Sequence, residues 1–320
     1  MTPDISVVVV SFNTRDLLRE CLTGLAKECE GISAEIFVVD NVSRDASADM
    51  VEREFPNVRL IRSGVNLGFA AANNKAFPLC TGRYIVLLNS DAFLHPGALR
   101  LALEHMDAEP ATGLGGARLV GRDGGWQPSA RCFPSPLNDL LTLTGLAARY
   151  PESRFFGRFD RTWADQSVEA DVDWVPGAFA IIRRDALERV GYFDEAFFLY
   201  YEEVDLCRRI LFAGYQIRYW PDVTVIHLGG ESSKTVQTLQ MSMSGSQLAL
   251  WRMRSAFLYY RKHHGTLAWY MKQQEKIWHR LRAWKNRADA KGEESRVLVS
   301  LLDRAWSETS GGTISPRRPW

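Results

Sequence analysis

Apolar runs alternate with helical periodicity over the first hundred residues of the chain. Residues 5–10 form an almost continuous β-branched run, which is typical of a strand buried on both faces of a parallel sheet. Leu18, Leu22 and Leu25 then recur at helical spacing and indicate an amphipathic helix. The alternation continues with predicted strands at 35–40, 57–62 and 84–88 and predicted helices at 45–54, 69–79 and 96–109. This βαβ pattern predicts an α/β fold with an open, mostly parallel sheet flanked by helices.

The pattern becomes irregular from residue 113 onwards. Residues 121–173 are rich in Arg, Pro, Phe and Gly, so we expect a long irregular excursion over the surface. Regular structure is predicted again further on, as strands at 174–183 and 215–226 and helices at 185–190, 202–213, 247–264 and 267–288. We therefore expect one α/β domain over residues 1–235 and a helical extension over residues 236–320.

Three of the predicted strands end in polar residues. These ends are Ser11-Phe12-Asn13, Asp40-Asn41 and Asn89-Ser90-Asp91. In open parallel sheets, ligands bind outside the carboxyl ends of the strands, where side chains project beyond the hydrogen-bonded ladder. The sequence therefore predicts a ligand site at this edge of the sheet.

Two segments far apart in the chain could contribute to a metal site. Asn89 and Asp91 place oxygen-bearing side chains at i and i+2 beyond a strand end, where both can face one divalent cation. A turn role explains the same residues equally well, because Asp and Asn favour turns. His227 follows another strand, and imidazole is a common metal ligand, although a lone histidine is more often structural. Gly229 and Gly230 beside it would allow a phosphate to approach backbone N–H groups.

A cluster of acids opens the predicted helix at 202–213. Acids in a first turn complement the helix dipole, and Asp205 can pair with Arg209 one turn later. Glu202 and Asp205 share one face of the helix while Glu203 points elsewhere. The cluster can therefore hold its helix in place and also present a carboxylate that could act as a general base.

The segment from Asn66 to Asn74 is a glycine turn that leads into a helix. Helix N-termini of this kind suit anions or nucleotide contacts. The chain has no GxxxxGK[ST] motif, and no GxGxxG follows the first strand, which argues against a dinucleotide cofactor.

Taken in order, these segments resemble an inverting family 2 glycosyltransferase with the Rossmann-like GT-A fold. The subgroup that the chain resembles is the bacterial rhamnosyltransferase-like enzymes of cell-envelope polysaccharide assembly. The matching pieces are "VVVVSFN", "VVDNVSRD", "NLGFAAANN", "VLLNSD", "DWVPGAFAIIRR", "FFLYYEEVDLCRR" and "HLGGES". They extend over residues 5–232, and each is modest alone, but the ordered set is highly specific.

The resemblance implies a sugar transfer from a nucleoside-diphosphate donor to a glycan or lipid-linked acceptor. Rhamnose from dTDP is the first expectation, and UDP-linked hexoses or galactofuranose are the alternatives. On the nucleotide side, the resemblance assigns Phe12 to stacking on the base and Asp40 to the imide N–H of the base. Further residues of the expected donor site are Asn66, Gly68, Asn73, Asn89, Ser90 and Asp91.

The resemblance also implies a metal site and a catalytic base. Asp91 takes the metal-binding position of the D-x-D motif, and His227 is the later ligand of a Mg²⁺ or Mn²⁺ ion. The base would come from Glu202 and Glu203, with Glu203 preferred and Asp205 as an alternative. The acceptor side is expected at Trp174, Gly177 and Ala178.

Two positions depart from the family pattern. Asn89 replaces the first aspartate of D-x-D, which removes one negative charge and leaves Asp91 and His227 as the principal metal ligands. Glu203 replaces the usual aspartate at the base position and is one methylene longer. These departures are the features that favour the main alternative, a non-catalytic protein that binds sugar nucleotides or glycans. A nucleotidyltransferase is the second alternative, but "SFNTRDLL" lacks the glycine- and basic-rich loop that it would need after the first strand.

Charge is distributed unevenly along the chain. The formal net charge is +1, but residues 251–320 hold 15 Lys and Arg against 6 Asp and Glu, a balance of +9. Six of the ten tryptophans also lie in this segment. Basic, Trp-rich amphipathic helices suit an anionic membrane interface, and the alternative is that they pack on the α/β domain or on a second subunit. Nucleic-acid binding is disfavoured because no recognised module accompanies the charge.

The cysteine pattern and the length of the apolar segments indicate the cellular compartment of the protein. Five scattered cysteines with no CxxC pair argue against a disulfide framework or a structural zinc site and fit a reducing compartment. We see no signal peptide at the N-terminus and no stretch of the roughly 20 apolar residues that a bilayer requires. We therefore expect a cytoplasmic protein, either soluble or peripheral on the inner face of the plasma membrane.

Overall fold

The structure of the protein is a computed structural model that describes residues 2–229 and 241–311, the side chains of residues 241–246 excepted. Three sequence expectations fall outside this range: the domain boundary between residues 235 and 236, the end of the "HLGGES" segment from Gly230 onwards, and Trp320.

Ten strands form one sheet within the described residues. They are β1 (Ile5–Ser11), β2 (Ala34–Asp40), β3 (Arg59–Arg62), β4 (Tyr84–Asn89), β5 (Ala92–Leu94), β6 (Thr112–Val120), β7 (Trp126–Gln127), β8 (Ala170–Asp171), β9 (Phe179–Arg183) and β10 (Gln216–His227). The order across the sheet is β3-β2-β1-β4-β9-β6-β10-β5, with β7 paired to β6 and β8 paired to β10.

Helices cover both faces of this sheet. They are α1 (Arg15–Glu28), α2 (Ser47–Glu54), α3 (Gly68–Ala76), α4 (Ala98–Ala108), α5 (Pro136–Leu143), α6 (Leu146–Arg149), α7 (Arg184–Val190), α8 (Glu202–Phe212), α9 (Met241–His264), α10 (Leu267–Lys285) and α11 (Ala290–Glu308). A short 3₁₀ turn, Phe77–Leu79, extends α3. No helix in the described ranges combines the length and the apolar character needed to cross a bilayer.

The first half of the sheet is parallel, as the sequence predicts. Strands β3, β2, β1 and β4 run in one direction, and Ser11 pairs with Asp40 while Val10 pairs with Asn89. This register brings the polar strand ends to one edge. Beyond β4 the sheet is mixed, because β9 lies antiparallel between β4 and β6. The expected α/β class is therefore confirmed. The antiparallel pairing beyond β4 was not predicted from the sequence.

Alternate residues of the central strands enter two different cores. Val8, Phe37 and Leu87 pack with α3 and the C-terminal helices, whereas Val7 and Val86 pack with α1, α2 and α4. This is the period-2 alternation of a strand that is covered on both faces.

The sequence analysis missed β6, a buried nine-residue strand that lies where we expected the pattern to become irregular. The reason is its glycines. A Cβ at Gly115 would overlap the ring of Trp220, and a Cβ at Gly116 would press on Val175. Close approach of neighbouring side chains requires glycine here, so this strand lacks the β-branched residues by which strands are recognised. The analysis also missed α11, which carries no motif.

Helix α9 packs on the α/β body. The ring of Trp251 stacks on Phe198 with centroids 4.1 Å apart, and Ser255 Oγ donates to the carbonyl of Leu199 at 2.8 Å. Trp251, Phe257, Tyr259 and Tyr260 are almost fully buried. For α9, the structure therefore agrees with packing on the α/β domain, which was the alternative to a membrane interface.

Candidate active site

A cavity of about 330 Å³ opens at the carboxyl ends of β1, β2 and β4. The expected site residues that line it are Phe12, Asn66, Gly68, Asn89, Ser90, Asp91, Gly177, Ala178, Glu202, Glu203 and His227. The fold therefore brings most of the predicted residues to one place. It does so from five separate parts of the chain: the strand ends, the loop before α3, the segment before β9, the start of α8 and the end of β10.

Asp91 and His227 meet because two short segments pair. Strand β5 begins at Ala92 and runs antiparallel to β10, with Ala92 opposite His227. The N–H of Leu228 donates to the carbonyl of Asp91 at 3.1 Å, which extends this pairing. As a result, His227 Nε2 lies 3.6 Å from Asp91 Oδ1 and 3.4 Å from Asn89 Nδ2.

Gln127 orients the ring of His227. Its Oε1 lies 3.1 Å from His227 Nδ1, and its Nε2 donates to the carbonyl of His227 at 2.8 Å. With Nδ1–H donating to Gln127, Nε2 carries the lone pair that faces Asp91. Burial lowers the pKa of His227, and the negative charge of Asp91 only partly opposes this shift. The imidazole is therefore neutral at neutral pH.

Asp91 and His227 fit a divalent cation. Because Mg²⁺ binds its ligands at about 2.1 Å, two ligands of one ion lie at most about 4.2 Å apart. The 3.6 Å between Asp91 Oδ1 and His227 Nε2 meets this condition. Metal-binding histidines usually donate their other ring N–H to a fixed acceptor, as His227 does to Gln127. Carboxylates suit Mg²⁺ and Mn²⁺, whereas imidazole suits transition-metal ions, so this pair of ligands favours Mn²⁺ over Mg²⁺.

A buried amide network shapes the loop before α3. Asn41 Nδ2 donates to Asn66 Oδ1 at 2.8 Å and to the carbonyl of Gly68 at 3.0 Å, while Asn41 Oδ1 accepts from the N–H of Leu67 at 2.8 Å. Asn66 Oδ1 also accepts from the N–H of Gly68 at 2.9 Å. The side chain of Asn66 thus holds its own loop, and Asn41, which the sequence analysis did not assign, is the centre of the network.

Gly68 connects this loop to the segment before α8. Its φ is +75°, and a Cβ at this position would overlap the carbonyl oxygen of Phe198. The N–H of Phe69 donates to the same carbonyl at 2.8 Å. Only glycine allows this approach, so Gly68 brings the start of α3 against the segment that carries the acid pair.

The other residues expected at the nucleotide differ in whether they line the cavity. Asp40 is buried at the end of β2, where Oδ2 accepts from the N–H of Ser43 at 3.1 Å and Oδ1 has no hydrogen-bond partner among the described residues. Ser90 lines the cavity and shares a 2.9 Å hydrogen bond with Thr14. Asn73 is buried in α3, and its Nδ2 donates to the carbonyl of Phe69 at 2.9 Å. Neither Asp40 nor Asn73 is among the described residues that line the cavity. A nucleotide contact by Asn73 stays a prediction.

Glu202 and Glu203 both reach the cavity from the first turn of α8. Tyr200 and Tyr201 precede them with φ of 69° and 70°, a left-handed conformation that side chains rarely adopt. This turn points the acids inward. Oε2 of each glutamate is buried and has no hydrogen-bond partner within the described ranges. Burial raises the pKa of both carboxyls, and the charge of Glu203 raises that of Glu202 further.

Asp205 has different surroundings, contrary to the expectation that it shares a face with Glu202 while Glu203 points elsewhere: Glu202 and Glu203 enter the cavity together, and Asp205 is not among the described residues that line it. It is fully buried, its Oδ2 accepts from Arg209 Nε at 2.8 Å, and its Oδ1 lies 2.8 Å from Lys262 Nζ and 2.7 Å from His263 Nε2. Burial alone would raise the pKa of Asp205, but the hydrogen bond from His263 and the charges of Arg209 and Lys262 hold it at about 2. These contacts join α8 to α9 and give Asp205 a structural role.

Sequence reasoning missed several residues that line the cavity. Phe69, Pro176 and Phe198 belong to quoted motifs but were given no role, and Leu248 comes from α9. Gln127, which contacts His227 but is not among the described lining residues, lies in the irregular excursion, where nothing in the local pattern marks it. These positions depend on contacts between distant segments, which periodicity does not reveal.

An α/β sheet flanked by helices, with a cavity at its strand ends, is the architecture of the GT-A glycosyltransferases, and in this protein the cavity contains both an acid pair and a metal-fitting pair. The model of glycosyl transferase family 2 matches residues 6–191. The chain belongs to this family and is a glycosyltransferase, which confirms the resemblance stated above.

Relatives and solved structures agree with this assignment. The N-acetylglucosaminyl-diphospho-decaprenol L-rhamnosyltransferase of Mycobacterium tuberculosis is 29% identical over 238 residues, 71% of this chain and 76% of that protein. The rhamnosyltransferase WbbL of Escherichia coli is 31% identical over 96 residues, 29% of this chain and 33% of that protein.

Two solved structures share the fold. The mannosyltransferase PcManGT of Pyrobaculum calidifontis, in complex with GDP-Man and Mn²⁺, matches with a TM-score of 0.54 at 18% identity over 99% of this chain and 78% of that chain. TarS of S. aureus, residues 1–349, matches with a TM-score of 0.50 at 17% identity over 97% of this chain and 92% of that chain.

Proposed function

We propose that the protein transfers rhamnose or a related sugar from a dTDP or UDP donor to a glycan or lipid-linked acceptor in cell-envelope polysaccharide synthesis, with inversion at the anomeric carbon. The observation that carries the proposal is the composition of one cavity. It combines a metal-fitting pair, Asp91 and His227, with two buried carboxylates, Glu202 and Glu203. The rhamnosyltransferase names of the relatives support the sugar class.

In this proposal the strand ends bind the nucleotide. Phe12 stacks on the base, and Asp40 accepts the imide N–H of the base through the oxygen that lacks a partner among the described residues. The loop held by Asn41 and Asn66 forms a fixed wall of the donor site, since Gly68 lies against Phe198.

Asp91 and His227 would hold a divalent cation, with Gln127 keeping His227 in the required tautomer. When bound, such an ion neutralises negative charge on the departing diphosphate. The PcManGT complex contains Mn²⁺ and a nucleotide sugar, which supports metal dependence for this chain too.

Glu203 accepts the proton of the acceptor hydroxyl. A buried carboxyl with a raised pKa is a stronger base than an exposed one, which favours this role. Glu202 lies beside it, and the negative charge of Glu203 raises the pKa of Glu202, so an ionised Glu203 keeps Glu202 protonated more readily. We assign the base to Glu203 because Glu203 also borders a second cavity, described below.

The deciding experiment is a donor screen by released nucleotide. The protein is incubated with dTDP-rhamnose, UDP-glucose, UDP-galactose and UDP-galactofuranose, with Mn²⁺, with Mg²⁺ and with EDTA. We expect one donor to be turned over with metal and not with EDTA, and Asp91→Ala to abolish the release. Tight nucleotide binding without any release would instead identify a non-catalytic binding protein. Release of pyrophosphate from a nucleoside triphosphate and a sugar phosphate would identify a nucleotidyltransferase.

We further propose that the outer face of α10 lies on an anionic membrane surface. Tyr270, Ile277, Leu281 and Trp284 are exposed and recur every three, four or seven residues, so they form one apolar stripe along the helix. The stripe is bordered by exposed cations such as Arg280. Together with the +9 balance of residues 251–320, this pattern suits the interface of an anionic bilayer.

A further inference from the structure

A second cavity of about 480 Å³ adjoins the first. Glu203, Pro176 and Tyr200 line both cavities, so the carboxylate of Glu203 lies at their common wall. The rest of the second cavity is enclosed by the irregular excursion around α5 on one side and by α9 and α10 on the other. Its volume is in the range of small-molecule sites.

The charges that face this cavity are balanced. Arg252 Nη2 lies 3.3 Å from Glu275 Oε1. Arg131 Nε donates to Asp160 Oδ1 at 2.7 Å. Each guanidinium that lines the cavity therefore has a carboxylate partner, and Asp139 and Glu203 add further acids. Among the described lining residues an anionic ligand would find no uncompensated cation, which argues against a phosphate.

The lining instead suits a neutral ring that bears hydroxyls. Asp139 and Gln274 contribute polar side chains, of which Asp139 Oδ2 accepts from Tyr260 and Gln274 Nε2 donates to the carbonyl of Pro136, so Asp139 Oδ1 and Gln274 Oε1 are the atoms offered to a ligand. Met271, Ala256 and the ring of Tyr200 offer apolar surface. Burial raises the pKa of Asp139 to about 7, although the hydrogen bond from Tyr260 opposes this, so its carboxyl can donate to a hydroxyl or accept from one near neutral pH. A few polar groups on a mostly apolar wall are the usual composition of a small-molecule site.

We infer that the second cavity binds the terminal sugar ring of the acceptor and that helices α9 and α10 thereby select the acceptor. This inference rests on the proposed function. An acceptor hydroxyl bound there faces Glu203, with the sugar donor on the other side. The hydroxyl gives its proton to Glu203, its oxygen forms a bond to the anomeric carbon, and the bond from that carbon to the diphosphate breaks. The nucleoside diphosphate leaves with the electron pair of that bond.

Binding measurements with two kinds of probe test the inference. Binding of dTDP and UDP with Mn²⁺, followed by titration calorimetry, reports on the first cavity. Binding of methyl glycosides of glucose, galactose, mannose, N-acetylglucosamine and rhamnose, followed by saturation-transfer NMR in the presence of the nucleotide, reports on the second. Absence of nucleotide binding would refute the proposed function, whereas nucleotide binding without saturable binding of any glycoside would refute only the inference.

Two variants change the second cavity from different helices. Ala256→Phe in α9 fills it, and Gln274→Leu in α10 removes its amide. We expect each to weaken glycoside binding about tenfold, the effect of losing one good contact, and to leave nucleotide affinity within about twofold. Gln273→Leu, beside Gln274 but not among the described lining residues, is the matched control. Equal glycoside affinity in Gln274→Leu, Gln273→Leu and the unaltered protein would overturn the inference, even if Ala256→Phe does not fold.

Discussion

His227 Nε2 lies 3.6 Å from Asp91 Oδ1, although the two residues belong to different halves of the catalytic region. The pairing of Ala92 with His227 between β5 and β10 produces this distance. A three-residue strand that starts immediately after Asp91 therefore assembles the proposed metal site. The geometry depends on backbone hydrogen bonds, which makes it rigid before any ion binds.

Gln127→Ala should weaken metal binding without unfolding the protein. The substitution removes the acceptor that holds His227 Nδ1–H, and loss of such an outer partner typically costs about 10–100-fold in metal affinity or activity. The measurement is the Mn²⁺ concentration that gives half-maximal nucleotide release. Gln127→Glu keeps an acceptor for Nδ1–H and should recover part of the affinity. Identical metal curves for Gln127→Ala and the unaltered protein would remove Gln127 from the site.

Glu203→Gln should abolish transfer and raise stability. Loss of a general base lowers the rate by about 10²–10⁴-fold, while nucleotide affinity stays unchanged. Because burial raises the folded-state pKa of Glu203, its ionisation destabilises the folded protein at high pH, and this penalty disappears as the pH falls below the unfolded value near 4.5. The variant should therefore melt at a higher temperature than the unaltered protein at pH 8 and at the same temperature near pH 4.

Glu202→Gln serves as the comparison for Glu203→Gln, since the pKa of Glu202 is raised in the same direction. It should also gain stability at pH 8 but retain more transfer activity. If Glu202→Gln is inactive and Glu203→Gln is active, Glu202 is the base.

Gly68→Ala should lower the stability of the protein by more than the backbone strain of a left-handed alanine. Gly97 also has a positive φ, +84°, but a Cβ there meets nothing within 4 Å. Gly97→Ala should therefore cost only about 1–2 kcal/mol, the strain of a left-handed alanine. Gly68→Ala should cost more, because the Cβ overlaps Phe198, and it should also weaken nucleotide binding. Chemical denaturation measures the stability of both variants, and calorimetry measures their affinity for the nucleotide. Equal effects of the two substitutions would contradict the role given to Gly68.

Asp205→Asn should destabilise the protein rather than act on the chemical step. The substitution leaves Arg209, Lys262 and His263 around a neutral side chain, and breaking a buried ion pair costs about 3–5 kcal/mol. The folded-state pKa of about 2 means that Asp205 stabilises the fold above the unfolded value near 3.8 and loses this contribution as the pH falls towards 2. Urea unfolding at pH 7 measures the cost. A stable variant without activity would return Asp205 to the candidates for the base.

Replacing three residues of the α10 stripe, Ile277, Leu281 and Trp284, with serine should release the protein from anionic vesicles. Flotation with phosphatidylglycerol-containing liposomes is the assay, and added salt should weaken binding because each surface cation contributes about 1 kcal/mol. Phe212→Ser, at a residue of α8 that is as exposed as Trp284, is the control and should leave binding intact. If the unaltered protein does not float with anionic vesicles, the membrane proposal fails.

In the helical extension, the sequence pattern predicts the helices but not which of their side chains are buried. Periodicity predicts helices near α9 and α10 and marks both as aromatic and basic. Their surroundings differ, however: Trp251 of α9 stacks on Phe198, whereas Trp284 of α10 is 73% exposed. Two helices of similar composition thus differ in burial: the tryptophan Trp251 of α9 is buried, and Trp284 of α10 is exposed. The difference depends on which face of each helix meets the rest of the protein, and no local pattern records that.

The sequence by itself determined the parallel half of the sheet, the polar strand ends and the acid pair at the start of α8. Each of these follows from side chains that are close in the chain, where periodicity and helix-end preferences act directly. Only the tertiary structure decided the glycine-rich strand β6, the contact between Gln127 and His227, the isolation of Asp205 within its ion pairs, and the cavity behind Glu203. These features arise from contacts between distant segments, whose free energy depends on three-dimensional packing and leaves no periodic trace in the chain.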